Sequence, residues 1–287
     1  MFSEIIWNPW YGCEECSSSC CYCNYSQNVY RSRDFKKPIQ KKRIKSIVQR
    51  IEKYELEYKI PTGSIIRVCS NSDFFFSGAD GMRQEAWDII HSRPDCLFHI
   101  VTRRPERIEQ CLPEMWLTGW DNVIISTAIE DQYTADIRVR QLIDAYEIGV
   151  KHLGIYIKPL ENSMDIKGYI GSGFIESVII SGESYYDYDK LARVTDLSSV
   201  KNIMEICREF DVPGYFESTG SRLRVENGSI IGVRPYDQKE LAKFYKLDTN
   251  NENSIWNKWE ENALITEERL LAERAYTIYK RIMSERV

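Results

Sequence analysis

The chain has 287 residues, 43% hydrophobic and 28% charged, with a formal net charge of −5. That length can bury a full α/β core, and the composition excludes fibrous and low-complexity polymers. No apolar run approaches the ~20 residues that span a bilayer, so no membrane association is expected. The net acidity argues against indiscriminate nucleic-acid binding.

The N-terminal MFSEIIWNPW lacks a basic start followed by a long apolar core. A secretory leader is therefore not expected and a reducing cytoplasm is. The first β-rich run, EIIWNPW (4–10), leads into CEECSSSCCYC, which places five of the nine cysteines between Cys13 and Cys23. Compartment and chain size both oppose disulfides. Cys13-x2-Cys16 and Cys20-x2-Cys23 make two zinc-type pairs, but only three residues separate them, shorter than the usual knuckle loop. A redox dithiol needs only two thiols. The spacing Cys16-x3-Cys20-x2-Cys23, with Tyr22 before the last thiol, instead matches a loop that holds a 4Fe-4S cluster through three ligands and leaves one iron open. In radical S-adenosyl-L-methionine (SAM) enzymes SAM occupies that open iron.

Residues 31–50, RSRDFKKPIQKKRIKSIVQR, carry nine basic side chains and one acidic. They read either as a solvated helix face or as a docking patch for phosphates or for an acidic electron donor such as a flavodoxin or ferredoxin. Beyond them, short apolar runs recur: SIIRVCS (64–70), LFHIVT (97–102), NVIISTA (122–128), HLGIYI (152–157), ESVIIS (176–181) and PGYFES (213–218). Amphipathic stretches at 83–93, 131–149 and 199–210 lie between them. Repeated β–α units predict a parallel sheet covered by helices, as a partial or full (β/α) barrel over residues 1–220. Residues 221–235, with Asn227-Gly228 between two β-rich arms, predict a hairpin. Residues 256–285 predict a helical extension, so that 221–287 would pack on the barrel.

Chemistry in such folds gathers where the strands end. These ends carry Ser70, Asn71 and Asp73, then Arg103, Glu130, Lys158, Gly182 with Glu183, and Glu217. The set reads as one lined cavity, although each residue alone could equally be loop chemistry or a helix cap. Ser70, Asn71, Asp73, Glu130, Gly182 and Glu183 are candidates for the amino, carboxylate and ribose groups of SAM. Arg103 and Lys158 could neutralise a carboxylate or a substrate phosphate, and Glu217 completes the substrate candidates. Cys69 and Cys111 are candidate hydrogen-atom donors.

Several blocks in order also resemble a known family. They are WNPWYGC, Cys20-x2-Cys23, SDFFFSGADGMRQEAW, VTRRPERIEQCLP, NVIISTAIEDQYTADIR, KPLENSMDI, VIISGES and VPGYFESTGSRL. Between Trp7 and Gly228 the chain resembles the phage-associated three-cysteine-motif proteins, a radical-SAM-like group of largely undefined function. The resemblance implies Cys13, Cys20 and Cys23 as cluster ligands. Cys16 remains the alternative first ligand, and Cys21 is a bystander. The chain departs from the family pattern at Asn24, Lys158 and Ser181. The expectation is a radical SAM enzyme acting on a nucleic acid or nucleotide. Its rivals are a non-catalytic zinc- or cluster-stabilised binding module working with a protein partner, and a barrel that has lost activity.

Overall fold

The computed structural model describes residues 4–17, 19–20, 23, 63–160, 162–184, 192–249, 254–257 and 259. The basic stretch 31–50 and nearly all of the helix expected over 256–285 lie outside these residues. In chain order the strands are β1 (Glu4–Trp7), β2 (Ile65–Val68), β3 (Leu97–Thr102), β4 (Val123–Ile129), β5 (His152–Ile157), β6 (Ile175–Ser181), β7 (Thr195–Asp196), β8 (Gly214–Ser218), β9 (Arg222–Arg224) and β10 (Ile230–Gly232). Seven of them form one parallel sheet in the order β1-β2-β3-β4-β5-β6-β8, curled into a half-barrel. Each of the seven apolar runs read from the sequence supplies one of these strands. The runs are mostly apolar because both faces of the sheet are covered, as β4 shows with all seven residues buried.

The two faces bury different things. Ile66, Val68, Phe98, Ile100, Ile125, Leu153, Ile155, Val178, Ile180 and Phe216 pack outward, in one cluster with helix residues such as Trp87, Leu142 and Met204. The opposite face carries Ile65, Leu97, Ile124, Tyr156, Ile179 and Tyr215, closed by Trp256 from the C-terminal segment. The Trp256 ring stands edge-on to His99 at 5.1 Å, and His99 Nε2 lies 2.9 Å from Ser126 Oγ. This second face is the concave one. Arg67 on β2 reaches Glu217 on β8 at 2.9 Å, across most of the sheet order, which requires the sheet to curl toward that side.

Four longer helices cover the convex side and the rim: α1 (Asp80–Ser92), α2 (Gln132–Glu147), α3 (Leu197–Glu209) and α4 (Gln238–Phe244). Asp131 caps α2 in a capping box, accepting from Thr134 N at 2.8 Å while the Thr134 hydroxyl accepts from Asp131 N. Asp196 caps α3, accepting from Ser198 N at 2.9 Å and Ser199 N at 3.1 Å, so this helix begins two residues before the expected 199. β9 and β10 pair antiparallel around Asn227-Gly228 as the sequence predicted, with Gly228 at φ +82°. β9 also pairs parallel with β7, a two-residue strand the sequence did not announce. Among the described residues no helix is long and apolar enough to cross a membrane.

Candidate functional site

A cavity of about 360 Å³ opens where β2, β3, β5 and β6 end, beneath the loop that follows β1. Cys13, Cys16, Cys20 and Cys23 all line it. So do Ser70, Asn71, Asp73, Arg103, Lys158 and Glu183 from the expected set, with Val68, Val101 and Ala128 as apolar wall. Glu130, Gly182 and Glu217 lie outside its lining. Cys69, the strand-end thiol proposed as a hydrogen-atom donor, faces the same space. Cys111 does not; its carbonyl accepts from Trp87 Nε1 at 2.8 Å within the convex-side core.

The cysteine loop is held against the strand ends at four points. Gly12 bridges to Ser72, whose hydroxyl donates to the Gly12 carbonyl. Arg104, buried at the end of β3, donates to the Glu14 carbonyl and to Cys13 Sγ at 3.6 Å. It is oriented by Asp73 at 3.2 Å and by the Phe76 ring at 5.7 Å. Ser17 donates to Glu130 Oε1 at 3.3 Å, and Glu130 is in turn gripped by Arg138 at 2.7 Å and by Arg103. Ser19 accepts from Arg193 at 2.8 Å, and Arg193 pairs with Glu183 at 2.9 Å.

These contacts occupy the three carboxylates expected to meet SAM. Asp73 accepts from Phe75 N (2.9 Å), Thr102 Oγ1 (2.8 Å) and Arg103 N (2.9 Å) as well as Arg104. Glu183 accepts three times from Arg193. Gly182 is required by the chain itself, since a Cβ there would stand 2.3 Å from the Thr219 carbonyl oxygen and 2.5 Å from Gly220 N. Ser70 and Asn71 are different: among the described residues no hydrogen bond forms from their side chains. Cys69 adopts a left-handed φ of +57°, a turn that presents Ser70 and Asn71 at the cavity. Glu217 belongs to a layer below, accepting from Arg67 at 2.9 Å and from the Tyr156 hydroxyl.

The electrostatics follow from burial and these pairs. Burial raises Glu217, but Arg67 and then Lys158 outweigh it and hold the carboxyl at about 2. Burial pushes the Cys13 thiol up to about 11, with Asp73 adding to it. Cys16 and Cys20 have sulfurs 4.0 Å apart, and the hydrogen bond between them raises the Cys16 thiol and lowers that of Cys20 to about 4. Burial lowers the Lys158 ammonium below its ordinary value.

None of the eight described cysteines is in a disulfide. Four thiols line one cavity with guanidinium groups behind them, a donor type suited to a thiolate-held cluster or to zinc. Among the described residues no three Cys, His, Asp or Glu side chains are grouped closely enough to hold a metal ion. The anchors Ser17, Ser19, Arg104, Arg138 and Arg193 were not singled out from sequence. The serine run between Cys16 and Cys20 and the paired arginines after β3 were the only local signals for them.

Residues 1–273 match the family described as Protein of unknown function (DUF5131). No curated protein and no solved structure matches the chain.

Proposed function

We propose that this chain, which belongs to that family of unknown function, is a radical SAM enzyme acting on a nucleic acid or nucleotide. The observation that carries the reading is the convergence of Cys13, Cys16, Cys20 and Cys23 on one cavity where parallel strands end. The resemblance to the phage-associated three-cysteine-motif proteins supports the same assignment.

Cys13, Cys20 and Cys23 would hold a 4Fe-4S cluster, and Cys16 is the alternative to Cys13. Bound there, such a cluster would supply the electron needed to cleave SAM. The chain's own residues do the rest. Asp73, Glu130 and Glu183 fix the cysteine loop through Arg104, Ser17 and Arg193. Ser70 and Asn71 offer neutral hydrogen-bonding groups to a polar ligand. Val68, Val101 and Ala128 keep part of the wall dry.

The test is product formation. Anaerobically reconstituted protein given dithionite and SAM should release 5′-deoxyadenosine, and Cys20→Ala should abolish the release. No 5′-deoxyadenosine from fully iron-loaded wild-type protein would reject the reading. One observation favours a second reading: the Cys16 and Cys20 sulfurs, 4.0 Å apart, sit at the separation of two ligands on one tetrahedral zinc. A zinc-stabilised binding module working with a protein partner would then be isolated with one zinc per chain and no iron.

A further inference from the structure

We propose that Lys158 and Arg103 form an oxyanion subsite that takes a phosphate or carboxylate group of the molecule filling the cavity. The inference deepens the substrate side of the function proposed above. It requires the cavity but not the cluster.

The argument is one of charge and position. Five cationic side chains line the cavity: Arg67, Arg103, Arg104, Arg193 and Lys158. Three arginines have a carboxylate partner, with Arg67 on Glu217 at 2.9 Å, Arg104 on Asp73 at 3.2 Å and Arg193 on Glu183 at 2.9 Å. Arg103 has only part of one, because Glu130 is divided between Arg103 and Arg138. Lys158 forms no ion pair and no side-chain hydrogen bond among the described residues.

The two under-compensated cations are neighbours. Arg103 Nη2 donates to the Lys158 carbonyl at 3.5 Å, which joins the end of β3 to the end of β5 across β4. The carboxylate that Lys158 feels, Glu217, is already paired with Arg67, and the one Arg103 meets is shared with Arg138. Positive charge in a confined space that is only partly balanced in this way is stabilised by an anion that enters with its own hydrogen-bond acceptors. A guanidinium and an ammonium lining one cavity suit a phosphate or carboxylate and give a neutral group no comparable advantage. The other polar groups facing the cavity, Ser70 and Asn71, would meet the rest of the ligand.

Isothermal titration calorimetry tests this on reduced protein as isolated under anaerobic conditions. Inorganic phosphate and acetate serve as probes, with ionic strength held constant by chloride. The expected result is saturable binding of at least one probe. Lys158→Met should weaken it at least about ten-fold, and Lys158→Arg should keep it within about three-fold. Phosphate binding more tightly than acetate assigns the subsite to a phosphorylated ligand, and the reverse order assigns it to a carboxylate. Unchanged binding in Lys158→Met, or no saturable binding of either probe to wild type, overturns the proposal. Thermal melts of both variants establish that they fold, and Lys158→Arg keeps the test decisive if Lys158→Met does not. The 5′-deoxyadenosine assay is read separately. Lys158-dependent anion binding without that product would remove the radical chemistry and leave the subsite standing.

Discussion

Replacing Glu217 with Gln removes the carboxylate that crosses the concave face from β8 to meet Arg67 on β2. The side chains are 6% and 13% exposed, so solvent screening is slight. Glu217 is held at about 2 against an ordinary 4.5. Each pKa unit corresponds to ~1.4 kcal/mol, so the shift represents roughly 3 kcal/mol of stability. The folded-state value lies below the unfolded one. The contribution is therefore complete above about pH 5 and is lost as pH falls from 4.5 toward 2, with about two-thirds gone by pH 3. Glu217→Gln should accordingly destabilise by roughly 3–5 kcal/mol at pH 7, because it also leaves the buried Arg67 charge without its counter-charge. The difference from wild type should narrow by about 2 kcal/mol between pH 7 and pH 3. Urea denaturation followed by circular dichroism at each pH measures this, and taking the difference cancels titrations common to both proteins. Arg67→Met combined with Glu217→Gln should recover part of the loss. A gap that stays constant with pH, or a double variant as unstable as the sum of the singles, would refute the cross-barrel pair.

Asp73→Asn keeps the shape but loses the charge that orients Arg104 and one acceptor among the groups at 2.8–3.2 Å. Unfolding should become easier by about 2–4 kcal/mol, read by chemical denaturation. Arg193→Met frees Ser19 and Glu183 together, and total thiol reactivity toward a disulfide reagent in metal-free protein should rise several-fold; an unchanged rate would mean that the loop is held elsewhere. Trp256→Ala empties the base of the half-barrel, where the side chain is 2% exposed, and should lower stability by about 3–5 kcal/mol in the same denaturation assay. Gly182→Ala forces a Cβ to within 2.3 Å of the Thr219 carbonyl. It should give insoluble or strongly destabilised protein, and a melting temperature within a degree of wild type would contradict the packing described.

The parallel sheet was legible because its signal is local. LFHIVT and NVIISTA are mostly apolar and rich in β-branched residues, the pattern of a strand buried on both faces. The Asn227-Gly228 turn and the amphipathic stretch behind α2 were legible for the same reason, being set by neighbouring residues. Expected bounds drifted where a single cap decides them, as at Asp196, or where the run outlasts its pairing partner, as in β1, which ends at Trp7 rather than Trp10. β7 was invisible because two residues carry no periodicity. The meeting of the strand-end residues Ser70, Asn71, Asp73, Arg103, Lys158 and Glu183 at one cavity followed from topology, whereas Glu130, Gly182 and Glu217 lie outside its lining. What each residue does there could not be read locally. Glu130 meets Ser17 from 113 positions away, and Glu217 meets Arg67 from 150. Asp73, Glu130 and Glu183 therefore read as open ligand groups, whereas the fold gives each an arginine. Lys158 is the converse case, a strand-end cation that forms no ion pair among the described residues and feels a carboxylate, Glu217, that belongs to Arg67.

The proposed function requires the thiols above this cavity to hold a cluster with an iron open to SAM. Electron paramagnetic resonance on anaerobically purified, dithionite-reduced protein, recorded with and without SAM, tests it most directly. The account predicts a reduced 4Fe-4S signal that SAM perturbs in wild type and that is lost in Cys20→Ala. A signal indifferent to SAM, or its absence from a sample that contains zinc instead of iron, would contradict it.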